Sequence, residues 1–214
     1  MKMNTRMILA LDETDVKKAI AITEDLIECI DAVKINWPLI LTAGPDIITK
    51  LSRLTDVICD FKIADIPNTV DLIVSNTVKK GASAVIVHAF IGEDSLKAAV
   101  RAAGDAEIYA VTEMSHPGGM TFTAPHAEEM AKIGIDCGVA GFIAPATRPD
   151  RIALVRAIVG DKKILSPGVG AQGGSAISAI KAGANYVIVG RAIYKADNPK
   201  TVAATIASEI KNAF

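Results

Sequence analysis

Residues 57–81 read VICDFKIADIPNTVDLIVSNTVKKG. The opening run VICDFKI is apolar and β-branched apart from Asp60 and Lys62, Ile66-Pro67 stops it, and the stretch TVDLIVSNTVKKG then carries helical periodicity up to a glycine. That order predicts a buried strand handing over to an amphipathic helix. Charges at the tip of a buried strand are costly unless partnered. The segment therefore predicts a repeating strand–helix unit and a polar site where the strand ends.

The same alternation runs along the whole chain. Strands are predicted over RMILALD, AVKIN, VICDFKI, AVIVHAF, IYAVTEM, GFIAP, KILSPGV and YVIVGRAI. Between them lie helical stretches such as DVKKAIAITEDLIECI, TVDLIVSNTVKKG, DSLKAAVRAAG, EEMAKIGIDCG and DRIALVRAIVG, several closed by a glycine. Eight such units in 214 residues is the compact end of the range for a (β/α)8 TIM barrel. A doubly wound sheet would bring fewer strands and a glycine-rich turn after the first, whereas the first strand here ends LALDETD. The expectation is an α/β chain forming one barrel domain over residues 1–214, with no linker or low-complexity tract.

Composition narrows the function classes. Half of the residues are hydrophobic and the formal net charge is −1, so no basic field is available for nucleic acid or an anionic membrane. An anionic ligand must be gripped locally. No run of about 20 apolar residues predicts a membrane helix, and MKMNTRMILALD lacks the h-region and cleavage site of a signal peptide. Cys29, Cys59 and Cys137 are far apart and without CxxC pairing, which predicts neither disulfides nor a zinc site. His116 and His126 lack metal-ligand spacing. The cytoplasm is the expected compartment.

In a barrel of this kind the site lies at the C-terminal ends of the strands. The polar residues there are Asp12, Lys34, Asp60, Lys62, His88, Glu113, Ser115, Thr147, the segment Ser166 to Gln172, and Gly190 with Arg191. Strand alternation puts Asp60 and Lys62 on one face, the inward one if Phe61 and Ile63 pack on helices. Lys34 of the neighbouring strand can reach Asp60, and Asp65 stands just beyond. The result is a predicted Lys-Asp-Lys-Asp row in which each charge has opposite neighbours. A purely structural ion network is the competing reading, although buried ion pairs are poor stabilisers. At the other end, the glycines of SPGVGAQGG expose backbone N–H groups and Arg191 offers a bidentate contact. These predict a phosphate site under a loop able to act as a lid.

DFKIADIPNT resembles the D-x-K-x-x-D-I-P-x-T signature of the orotidine 5'-monophosphate decarboxylase family. LALD, VKIN.PLI, TEMSHPG, SPGVGAQGG and VGRAIYKADNP resemble its compact microbial branch in order and spacing, so the resemblance covers almost the whole chain. It implies decarboxylation of orotidine 5'-monophosphate to uridine 5'-monophosphate without metal, flavin or pyridoxal. Lys62 would protonate C6 of the pyrimidine, Asp60 would lie beside the departing carboxylate, and Lys34 and Asp65 would complete the charged row. Asp12 and Lys34 would hold ribose hydroxyls, Ser115 and Gln172 the pyrimidine edge, and Gln172, Gly190 and Arg191 the phosphate. Ile66 and the loop residues Pro167, Gly168, Val169 and Gly170 complete the implied substrate contacts. Asp65 and Thr69 would cross to a neighbouring subunit's site, implying a homodimer. One departure is Asn36-Trp37, where the resemblance leads us to expect a glycine-aromatic pair.

Two alternatives carry different consequences. A magnesium-dependent sugar-phosphate decarboxylase or synthase of the same superfamily shares D-x-K-x-x-D, but Ile66-Pro67-x-Thr69 and GVGAQGG favour the nucleotide enzyme. A non-catalytic nucleotide-binding barrel predicts gaps in the charged row, and there are none. His88 reads as a hydrogen-bonded rim residue, Glu113 as the end of an inward strand, with a role the sequence does not fix, and Trp37 as an apolar contact over the second helix or at a dimer surface.

Overall fold

A computed structural model describes residues 3–213. Eight parallel strands close on themselves in sequence order: β1 (Met7–Leu11), β2 (Ala32–Ile35), β3 (Asp56–Ile63), β4 (Ala84–His88), β5 (Glu107–Val111), β6 (Gly141–Ile143), β7 (Lys163–Val169) and β8 (Tyr186–Val189). This is the (β/α)8 barrel that the alternation predicted. The connecting helices are α1 (Val16–Leu26), α2 (Trp37–Ala43), α3 (Asp46–Leu51), α4 (Pro67–Lys79), α5 (Gly92–Ala103), α6 (Gly119–Phe122), α7 (Ala127–Asp136), α8 (Pro149–Val159), α9 (Ala176–Lys181), α10 (Arg191–Tyr194) and α11 (Pro199–Lys211).

Local chemistry accounts for these boundaries. Asp15, Asn36, Ser175 and Asn198 cap α1, α2, α9 and α11 with side-chain oxygens that accept backbone N–H groups. Proline opens α4, α8 and α11, where a missing N–H costs nothing. Residues 190–193 of the predicted strand YVIVGRAI fall outside β8, because the chain turns at Gly190 into α10.

Strand alternation divides the core in two. Outward residues such as Leu9, Val33, Cys59, Phe61, Ile63 and Val85 pack in the cluster shared with the helices. Inward residues Ile8, Ala32, Ile58, Ile86, Tyr109, Leu165 and Tyr186 belong to a second cluster filling the barrel. Tyr109 and Tyr186 are almost wholly buried; their bulk occupies the N-terminal end while Ala32 and Ala84 make room. Ile86, Ile143 and Ile188 stand above them and floor a cavity at the opposite mouth. Among the described residues no helix is long and apolar enough to cross a membrane.

The ladder is regular except in two places. Between β3 and β4 the register shifts between Cys59 and Ile63, and between β7 and β8 it shifts between Pro167 and Val169. Each irregularity contains a residue with positive φ, Lys62 (46°) in β3 and Gly168 (102°) in β7. Such breaks re-aim the chain at the rim of a barrel, and both lie beside the cavity.

Candidate active site

The cavity at the C-terminal mouth has a volume of about 300 Å3, at the lower end of the range for small-molecule sites. Parallel register explains who reaches it. Ala10 and Lys34 pair across β1 and β2, as do Leu11 and Ile35; Leu11 and Ile35 pack outward, so Asp12 and Asn36, the next residues of each chain segment, turn in with Ala10 and Lys34. Asp60 and Lys62 enter from β3, Glu113 and Ser115 from the end of β5, Pro167, Gly168, Val169 and Gln172 from β7 and its loop, and Gly190 and Arg191 from the end of β8.

Asp60 is the electrostatic centre. Its side chain is 7% exposed, and its two oxygens each accept from one ammonium at 2.7 Å, Oδ2 from Lys34 and Oδ1 from Lys62. Burial opposes ionisation of Asp60, but the adjacent positive charges and hydrogen bonds of Lys34 and Lys62 outweigh it and hold the carboxyl below the usual carboxylate range. Both oxygens are taken by ammonium groups. Lys62 reaches its place from a left-handed backbone, and Trp37 braces the peptide before it. The Trp37 indole N–H donates to the Phe61 carbonyl at 3.2 Å, and the two rings stack with centroids 4.6 Å apart.

The fourth member of the predicted row is placed elsewhere. Asp65 is exposed and does not line the cavity. Its carboxylate accepts from the Ile66 backbone N–H at 2.7 Å and its carbonyl from Ser95 Oγ at 2.8 Å, which tie the turn to α5. Ile66 and Thr69 also lie outside the cavity lining, Ile66 being 65% exposed. Within one chain the row is thus Lys34–Asp60–Lys62.

At the opposite side, the loop after β7 is compact. Gly170 N–H donates to Gly174 O, Gly173 N–H to Gly170 O and Gly174 N–H to Gly168 O. Gly170 is consequently turned into the loop and does not line the cavity. A Cβ at Gly168 would sit 3.0 Å from Thr147 Cγ2 and 3.5 Å from Gln172 Oε1, so Gln172 folds over a position that admits only a glycine without strain. Among the described residues the Arg191 side chain makes no hydrogen bond or ion pair, and its exposed guanidinium borders the cavity.

Glu113 has a clear supporting role. It is completely buried, with Oε1 accepting from Arg148 Nε and Oε2 from Arg151 Nε, both at 2.7 Å. The same guanidinium groups donate onward to the Met114 and Ala124 carbonyls, and Thr147 Oγ1 donates to the Ser115 carbonyl. Ser115 is therefore held by a network anchored on α8. The two arginines were not among the sequence candidates; nothing local marks residues whose partner lies on another element. Asn36 was also missed as a lining residue, although its spacing from Lys34 is the signal that reveals it. Ser166 is buried and donates to the Ala144 carbonyl, so it belongs to the wall. His88 lies outside the lining, its ring tilted against Phe90 with centroids 4.6 Å apart, and its buried Nδ1 has no hydrogen-bond partner among the described residues, unlike the hydrogen-bonded rim residue expected; burial, then the nearby Lys62 charge, lowers its pKa to about 4, which keeps it neutral.

The chain matches the family described as "Orotidine 5'-phosphate decarboxylase / HUMPS family" over residues 5–206. It belongs to that family. Relatives named orotidine 5'-phosphate decarboxylase from Methanosarcina mazei and Methanosarcina acetivorans are both 52% identical, each alignment covering 99% of this chain and 97% of the relative. Among solved structures, orotidine 5'-monophosphate decarboxylase from Methanocaldococcus jannaschii, complexed with the inhibitor BMP, superposes with a TM-score of 0.91 at 40% identity over 95% of this chain and 97% of that one. The orotidine 5'-phosphate decarboxylase from Pyrococcus horikoshii gives 0.90 at 45% identity over 96% and 99%. Family membership, barrel fold and carboxy-lyase class thus agree with the resemblance carried by DFKIADIPNT. For a member of the decarboxylase family, the charge layout places two cations on one carboxylate in the floor and a third cation at the rim.

Proposed function

We propose that this chain decarboxylates orotidine 5'-monophosphate to uridine 5'-monophosphate without a metal or organic cofactor. The observation that carries the reading is Asp60 shared between Lys34 and Lys62 at 2.7 Å each, in a cavity whose far rim carries Arg191. The C6–carboxylate bond breaks, carbon dioxide leaves, and the bonding pair stays on C6 as a carbanion in the ring plane. The Lys62 ammonium stabilises that charge and gives its proton to C6, leaving a neutral amine that regains a proton from water. Asp60 faces the substrate carboxylate and keeps the lysines oriented, while Lys34 balances it.

Asp12 and Lys34 would take the ribose hydroxyls, Ser115 and Gln172 the pyrimidine edge, and Gln172, Gly190 and Arg191 the phosphate. Pro167, Gly168 and Val169 would wall the base. Phosphate contacts remote from the broken bond then supply binding energy for closing the loop over the base. We further propose a homodimer in which Asp65, Ile66 and Thr69, all outside their own chain's cavity, complete the partner's site.

The magnesium-dependent sugar-phosphate alternative needs carboxylate oxygens free for a metal, and Asp60 has both committed to ammonium groups. Incubation of the purified protein with orotidine 5'-monophosphate in EDTA, followed by ultraviolet absorbance, decides between the two. Conversion to uridine 5'-monophosphate, abolished in Lys62→Ala, is the expected result. No conversion, with activity on a sugar phosphate restored by magnesium, would sink the proposal.

A further inference from the structure

Residues 60–62 hold the reacting groups, yet the barrel's own ladder does not hold them. Registered pairing of β3 with β2 ends at Cys59, and pairing with β4 skips from Cys59 to Ile63. Within that gap Lys62 adopts φ 46°, a conformation unfavourable for any residue with a Cβ and retained only where the surroundings enforce it. We propose that Trp37 is the residue that enforces it, acting as a positioning residue for Lys62; this rests on the decarboxylase reading above.

The geometry is direct. The Phe61 carbonyl belongs to the same peptide plane as the Lys62 nitrogen, and rotation of that plane is what changes φ at Lys62. The Trp37 indole N–H donates to this carbonyl at 3.2 Å while its ring stacks on the Phe61 ring with an interplanar angle of 27°. One side chain therefore grips both ends of the residue between Asp60 and Lys62. Trp37 is itself fixed at the start of α2, where its backbone N–H donates to Asn36 Oδ1 at 2.6 Å and Pro38 stiffens the first turn. Asn36 directly follows β2, whose pairing with β3 remains regular through Ile35 and Cys59. The brace thus runs from the last regular rung of the ladder, around the gap, to the peptide that aims Lys62. Without it, Lys62 can relax and its ammonium moves away from the position set by Asp60.

Trp37→Phe keeps an aromatic ring for stacking and removes the N–H; Trp37→Ala removes both. Because Trp37 is 44% exposed, both variants are expected to fold. The Phe variant should lose about tenfold in kcat with KM within about twofold of the parent, since the loss falls on alignment of the reacting group and not on ground-state binding. The Ala variant should lose at least as much. In the crystal structure of the Phe variant, φ at Lys62 should leave the left-handed region. An unchanged kcat in Trp37→Phe, or a retained left-handed Lys62, overturns the positioning role. If the parent itself fails to convert orotidine 5'-monophosphate, the proposed function falls, and φ at Lys62 in the Phe variant alone decides whether Trp37 holds that backbone.

Discussion

Replacing Asp60 by Asn tests the electrostatic core of the site, because the shape is kept while the charge between two ammonium groups is removed. Each lysine stands 2.7 Å from its carboxylate oxygen, with Lys34 only 7% and Lys62 29% exposed. An ion pair of about 4 Å at an effective dielectric near 20 is worth roughly 4 kcal/mol. Two such attractions disappear, and two neighbouring cations remain, with Lys62 partly screened by water. Breaking a buried pair from one side costs about 3–5 kcal/mol, so Asp60→Asn should lose that amount at pH 7. For a chain of this size the loss corresponds to a fall in Tm of about 6–20 °C. Urea unfolding of the parent, Asp60→Asn and Asp60→Asn/Lys34→Met measures it. The double variant should recover part of the loss by removing an orphaned cation. The sign with pH follows from the lowered Asp60 pKa. Its contribution is fully present above the unfolded carboxylate value of about 3.9 and fades as pH falls through the lower folded value. The gap between parent and variant should therefore be flat from about pH 5 to 8 and close in stronger acid. An Asn variant within about 0.5 kcal/mol of the parent at pH 7, or a gap that widens on acidification, would refute the account.

Arg191→Ala should raise KM for orotidine 5'-monophosphate at least about tenfold by removing a charge-assisted phosphate contact; steady-state kinetics showing an unchanged KM would remove Arg191 from the phosphate site. Glu113→Gln leaves one buried acceptor for two guanidinium groups and should cost about 2–4 kcal/mol. Amide exchange around residues 114–126 should accelerate at the same time, whereas unchanged exchange there would show that the arginines hold the segment without Glu113. Gly168→Ala meets both a left-handed φ and Thr147 Cγ2 at 3.0 Å. A loss of about 1–2 kcal/mol in chemical denaturation is expected, together with weaker uridine 5'-monophosphate binding as Gln172 is displaced; parent-like values for both would show that the loop adapts freely.

Periodicity alone determined that this chain is an eight-unit barrel, because inward and outward faces, proline starts and polar caps are written over short spans. It also marked the strand ends where Asp12, Lys34, Asp60, Lys62, Ser115 and Arg191 converge, since in a closed parallel barrel every strand delivers its last inward side chain to one mouth. Tertiary structure decided the rest. A lysine carries no local signal for a left-handed backbone, and Lys62 adopts one only where two neighbouring ladders lapse and Trp37, from the preceding connection, takes the Phe61 carbonyl. Glu113 looked like an isolated acid until residues 35 and 38 positions away supplied its guanidinium partners. Asp65 follows the strand in sequence yet faces away from its own cavity, because the turn is tied to α5 through Ser95. Side-chain alternation is a property of neighbouring residues, whereas the ionisation of Asp60, the aim of Lys62 and the outward placement of Asp65 depend on groups brought together only when the barrel closes.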